Sequence, residues 1–195
     1  MWGRYSRKAE LQLDLIAHAL TCGITRVVSF MHWNSGGEGG PDERFLKSRW
    51  PGADWQQHNQ AHAIPSGGHR DGVTAFDIMN AFTQEHLTLF RRFLKRLKAA
   101  PGTKVGASVL DESVVYLGSE MGYGPWHNLD DFPALVAGHA GGALAGGRAF
   151  AFDNQKHIGN WLVTLLQKAG VPSPALVQDT PTSSPTVYDQ PITTL

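Results

Sequence analysis

Residues 24–33, "ITRVVSFMHW", decide the reading of the fold. β-Branched and aromatic residues dominate, and the apolar run is nearly continuous. Such a run predicts a strand covered on both faces, as in a parallel sheet, rather than a half-exposed strand of alternating polarity. Upstream, "RKAELQLDLIAHALTCG" predicts a helix: Leu11, Leu15, Ile16, Ala19 and Leu20 recur at helical spacing, and Gly23 stands where a helix stops. Downstream, residues 34–72 are rich in Gly, Pro and polar side chains. Unstructured stretches of that length inside a domain commonly carry function.

The rest of the chain repeats the alternation. Thr74 followed by Asp77 predicts an N-cap with an acidic partner at N3. The helix so started carries an apolar stripe of Ile78, Phe82, Phe90, Phe93, Leu94 and Leu97. Its basic end, "RRFLKRLK", suits the helix dipole and reads as a solvated terminus. After "PGTKVG" come a second buried strand, "SVVYLGS", a polar loop and a third strand, "FPALVAG". The glycine-rich "GHAGGALAGGR" lacks the Lys-Ser/Thr of a P-loop and reads as a turn leading to a short strand, "AFAF". "IGNWLVTLLQKAG" is a last helix ending on glycine. Residues 1–175 are expected to form a single α/β domain, and residues 176–195 an extended Pro/Ser/Thr-rich tail. Helices alternating with apolar strands predict an α/β/α sandwich with a mostly parallel sheet.

Charge and composition narrow the function. With 195 residues, 42% of them hydrophobic, the chain is long enough to bury a core. Lys and Arg total 17, as do Asp and Glu, so no basic footprint for nucleic acid is present. Cys22 is the single cysteine, which excludes an internal disulfide and leaves His, Asp, Glu or Asn as metal ligands. No apolar run is long enough to span a bilayer, and the opening "MWGRYSRKAELQ" is not a secretory signal.

Ligands in parallel α/β sheets sit beyond the carboxyl ends of strands. Two polar loops are expected there. "HWNSGGEGG" offers His32, Asn34 and Glu38; "GSEMGYGPWHNLDD" offers Glu120 and His127. A carboxylate and an imidazole brought together at such a rim suit a divalent metal or a base with its orienting partner. A third cluster is "HNQAHAIPSGGH". His58 and His62 stand at i, i+4 and share a face if the segment is helical. The Glu of a HExxH zinc-protease helix is absent, and an exposed polar loop explains the composition equally well. His69 is a third imidazole of the same stretch. His86 interrupts the apolar stripe and reads as a core histidine; His18, His139 and His157 have no partner pattern. No serine lies in a G-x-S-x-G elbow.

"LDLIAHALTCGITRVVSFM", the histidine-rich loop, "FTQEHLTLFRRFLKRLKA", "LDESVVYLGSEMGYGPWHNLDDFPALVAGHAGGAL" and "IGNWLVTLLQKAGVP" occur in that order. Together they resemble the C-terminal part of a bacterial family of unknown function named for an HxxSHH motif. The motif falls on "HNQAHA": His58 and His62 match its first two histidines, while Ala61 replaces Ser and Ala63 replaces the last His. More distantly the family is similar to the alkaline phosphatase and sulfatase superfamily, whose α/β/α fold carries a metal-dependent hydrolytic site. The resemblance implies an exported protein. It also implies a divalent ion (Zn, Ca or Mg) held by Glu120, His127, His58 and His62, with His69 as a replacement for the lost imidazole; His32, Asn34 and Glu38 remain further candidates from their place after the first strand. The superfamily's nucleophile belongs to an N-terminal half that this sequence does not contain. The expected partner is therefore a second copy or a chain supplying that half. Two functions follow: a metal-dependent phosphatase- or sulfatase-like hydrolase, or a binding and self-assembling module that keeps the fold without turnover.

Overall fold

A computed structural model describes residues 4–32, 49–50, 57–67, 69–70, 72–119, 121–128, 131–151, 158–172, 175–180, 183–188 and 192. The protein is mixed α and β. It divides into two compact units: Met1–Leu97 with Tyr123–Asn128, and Lys98–Gly122 with Leu129–Leu195.

The first unit is built on two long helices, α1 (Arg4–Thr21) and α3 (Ala75–Ala99, whose last two residues pass into the second unit). Helix α1 ends as its glycine requires. Gly23 adopts φ 68°, the Gly23 N–H donates to Leu20 O, and the Ile24 N–H reaches back to Ala19 O at 2.9 Å. This is a Schellman stop. Helix α3 starts at the expected cap: Thr74 Oγ1 accepts from the Asp77 N–H at 3.0 Å, and the Asp77 carboxylate accepts from the Thr74 N–H at 3.0 Å. Its buried face is Ala75, Ile78, Ala81, Phe82, Leu89, Phe93 and Leu97. Trp50 and Val73 pack on Ile78 and Phe82.

The buried face of α1 is not its leucine-rich stripe. Ala9, Leu13 and Ala17, each four apart, are buried, whereas Leu11 and Leu15 are 53% and 69% exposed. Ion pairs follow the rotation. Glu10 accepts from Arg92 at 2.9 Å, and Asp14 pairs with Arg96. Both pairs adjoin the alanine-containing face and tie that side of α1 to α3. Pairs of this exposure contribute little to stability and chiefly fix register.

Residues 24–32 do not form the predicted buried strand. They belong to no ladder, and Ile24, Val27 and Met31 are 79%, 85% and 72% exposed. Local chemistry competes with pairing: Thr25 Oγ1 donates to Val27 O at 3.0 Å and accepts from Val27 N–H at 3.4 Å. A side chain that occupies these backbone groups removes them from a ladder. Between the long helices lie the short α2 (Gln57–Ala63), β1 (His69–Arg70) and β2 (Val73–Thr74).

In the second unit, α4 (Val109–Glu112) is one turn closed by a capping box between Ser108 and Asp111. Strands β3 (Val115–Gly118) and β4 (Ala134–Ala137) pair antiparallel, with Tyr116 opposite Val136. Helix α5 (Ile158–Lys168) buries Gly159, Val163, Thr164 and Leu165 and stops on Gly170 at φ 88°. The segment expected to be an extended tail carries an antiparallel ladder of β5 (Leu176–Thr180) and β6 (Ser183–Tyr188). Buried Ile192 follows, its N–H donating to Thr164 Oγ1 at 2.7 Å.

Among the described residues all three sheets are two-stranded and antiparallel. The mostly parallel sheet expected from the strand sequences is therefore not what these segments build. The strand at 24–33 that would have anchored it is unpaired over its described part, and "SVVYLGS" and "FPALVAG" take each other as antiparallel partners. No described helix is long and apolar enough to cross a membrane.

Candidate metal centre

The histidine-rich stretch is helical where it matters. Residues 57–63 form α2, and the i, i+4 spacing puts His58 and His62 on one face with ring centroids 4.9 Å apart. The third imidazole comes from far along the chain. The six residues 123–128 form a loop closed by a bridge between Tyr123 and Asn128. Within it Gly124–Trp126 is a 3₁₀ turn with Pro125 buried. His127 follows in the left-handed region, at φ 55° and ψ 34°. Non-glycine residues adopt that conformation rarely, with His among the types that do, and such positions cluster at functional sites.

Loop and helix are in van der Waals range of each other. A Cβ at Gly124 would meet the Ala61 Cβ at 3.4 Å. Ala61 is thus a packing contact beneath the turn.

Hydrogen bonding fixes the orientation of the rings. His62 Nδ1 lies 2.9 Å from Pro125 O. A carbonyl only accepts, so His62 carries its proton on Nδ1 and presents the Nε2 lone pair. That Nε2 is 3.2 Å from His127 Nε2. A neutral His62 in this tautomer accepts there from a His127 Nε2–H. His58 completes the group, its centroid 6.0 Å from that of His127, and one ligand atom from each ring lies within 4.8 Å of the others.

The dimensions suit an ion. Two nitrogens bound tetrahedrally at about 2.0–2.1 Å lie about 3.3 Å apart. The His62–His127 separation of 3.2 Å matches this, and a His58 ligand atom lies within 4.8 Å of both. The His62 contact to Pro125 O is the second-shell arrangement that liganding histidines commonly have, fixing both tautomer and ring plane. Among the described residues this is the one group of three or more His, Cys, Asp or Glu placed to share an ion.

Glu120, Asn34 and Glu38 lie outside the described residues. His69 is in β1, in register with Thr74. His32 packs edge-to-face on His86 with centroids 4.4 Å apart. Burial lowers the pKa of His86 to about 4, with nearby His32 adding to the shift, and burial lowers His32 in the same direction. This pair reads as two part-buried, neutral rings in contact with each other. What sequence reasoning missed is Pro125. Its carbonyl orients His62, and the only available signal was a proline two residues before a histidine in a glycine-containing loop.

Compared with models of protein families, with curated proteins and with solved structures, the chain matches none.

Proposed function

We propose that the protein binds one divalent transition metal of the zinc type through His58, His62 and His127, with a coordination position left open to solvent, and that it acts as a metal-dependent ester hydrolase. The observation that carries this reading is the chain of contacts Pro125 O, His62 and His127. It presents one lone pair at the right place and puts a second nitrogen at ligand spacing. Three imidazoles are a borderline donor set. They suit Zn, Cu or Ni and leave Ca and Mg, which take oxygen ligands, without a reason to bind.

A three-histidine ion keeps a fourth position for water and makes that water acidic enough to react near neutral pH. The chain's own part is geometric. His62 is held by a carbonyl, His127 by a left-handed turn, and His58 by its place one turn before His62. The phosphatase- or sulfatase-like character of the reaction, and any export, rest on the sequence resemblance.

A second reading is a binding or assembly module without turnover. Exposure of His62 and His127 favours it, because an open position at the surface is accessible to a donor from a second copy or another chain. Zinc titration of the full chain, followed by light scattering and assay of aryl phosphate and sulfate esters, tests both. Stoichiometric binding with turnover supports the hydrolase; zinc-dependent association without turnover supports the module. No zinc binding, or undiminished binding by His58→Ala, His62→Ala and His127→Ala, would overturn the site.

A further inference from the structure

We propose that the ion is a latch: binding it locks the 123–128 loop onto α2, and losing it frees the loop, so that zinc itself controls whether the third ligand is in place. This rests on the metal reading above and adds the regulation of that site.

Residues 123–128 belong to the first unit, whereas the chain immediately before and after them belongs to the second. The loop's place in the first unit is therefore set by contacts, not by its neighbours in sequence. Among the described elements, α2 is the main neighbour of its 3₁₀ turn. Two polar contacts join them: His62 Nδ1 to Pro125 O at 2.9 Å, and His62 Nε2 to His127 Nε2 at 3.2 Å. His62 and His127 are exposed, so water competes for these hydrogen bonds and each adds little by itself.

Backbone strain works against the seated loop. His127 holds φ 55° and ψ 34°, a conformation that a residue with a Cβ keeps where its surroundings impose it. Leaving α2 removes those surroundings. Relaxation of the turn then opens the bonds from the His127 N–H to Gly124 O at 3.2 Å and from the Asn128 N–H to Tyr123 O at 3.4 Å. These two amides report on the latch.

The hydrogen bond between His62 and His127 uses the same Nε2 atoms that the ion takes. Binding exchanges one exposed hydrogen bond for coordination at both atoms. The Nε2 proton of His127 passes to water as its Nδ1 takes one up. His58 and His62 share α2 whether or not the loop is seated, so the freed site keeps two imidazoles and holds the ion more weakly than three do. A ligand shifts an equilibrium by its difference in affinity for the two states, and the coupling is reciprocal. The seating that zinc confers on the loop therefore equals the affinity that His127 confers on zinc.

The test uses the full chain. Zinc affinity is measured first for wild type and for His127→Asn, which tolerates φ 55° but lacks the imidazole. Amide hydrogen exchange is then followed with and without saturating zinc. Losing a ligand costs at least about ten-fold in affinity, the scale of supporting residues. Exchange at residues 127 and 128 of wild type should slow by that same measured factor, at least about ten-fold, while amides of α1 keep their rates. In His127→Asn zinc slows neither amide. Zinc binding that leaves loop exchange unchanged in wild type, or that slows α1 equally, would overturn the latch and leave the metal site standing. Failure of wild type to bind zinc, or equal affinity in His127→Asn, would instead overturn the metal reading.

Discussion

His62 donates its Nδ1 proton to the carbonyl of Pro125 at 2.9 Å, across 63 positions of sequence. One hydrogen bond thereby fixes a tautomer, a ring plane and the approach of the 123–128 loop to α2. Its partner is a backbone atom, so no side-chain substitution at position 125 removes the acceptor itself.

Each of His58→Ala, His62→Ala and His127→Ala should lower zinc affinity by at least about ten-fold, the scale seen when even supporting residues of a metal site are lost. His62→Ala should cost most, because it removes both a ligand and the contact to Pro125. His62 and His127 are exposed, so far-UV circular dichroism should stay native. His139→Ala is the control: this histidine is exposed, belongs to the second unit and stands 3.7 Å from Asp111. Competition with a chromophoric chelator measures all four. A loss in His139→Ala equal to that in the others would contradict the assignment.

His127→Asn separates backbone from ligand. The position requires φ 55°, which Asn tolerates well. The variant should match wild type in stability to within about 0.5 kcal/mol, as expected for an exposed substitution. It should nonetheless lose zinc binding, because an amide is a poor replacement for imidazole. Urea melts without metal and chelator competition with metal give the two readouts. Retained zinc binding would remove His127 from the ligand set.

Helix ends and the histidine pair at i, i+4 were legible in the sequence because their causes are local. Gly23 and Gly170 stop α1 and α5 through a φ that only glycine adopts freely, and Thr74 with Asp77 starts α3 through contacts three residues apart. Strand pairing was not legible. "ITRVVSFMHW" has every property of a buried strand, yet what a strand pairs with is decided by distant segments and by competitors such as Thr25 Oγ1. The site shows the same division. His58 and His62 announce themselves by spacing, but their meeting with His127 involves a hydrogen bond to the Pro125 carbonyl, 63 positions away in sequence.

His86 makes stability depend on pH. Its pKa is lowered from 6.5 to about 4, first by burial and then by His32. The unfolded chain therefore binds the proton more readily than the folded one. Stability is full above about pH 6.5, falls as the pH drops toward 4, and levels off below that. The loss from this residue is bounded at about 3 kcal/mol, and His32 shifts the same way. In His86→Leu the fall between pH 6.5 and 4 should be visibly shallower. Denaturant melts across that range decide it, and an unchanged slope would show that His86 is not the titrating group.

Gly138 is the sharpest steric prediction. It follows β4 at φ 92°, and a Cβ there would run into the carbonyl oxygen of Ser113 and come within 2.8 Å of Leu110 O. Both obstacles are backbone at the end of α4. The Ser113 carbonyl also accepts from the Ala140 N–H at 3.1 Å, so it cannot retreat without breaking that bond. Gly106 provides the comparison: its φ is 79°, but a Cβ there meets nothing within 4 Å. Gly106→Ala should therefore cost only the left-handed strain, about 1–2 kcal/mol. Gly138→Ala carries that strain and the collision, and should cost at least about 1 kcal/mol more. Urea denaturation of the two variants isolates the collision, since backbone strain is common to both. If the two were equally stable, the contact between Gly138 and the end of α4 would have to be redrawn.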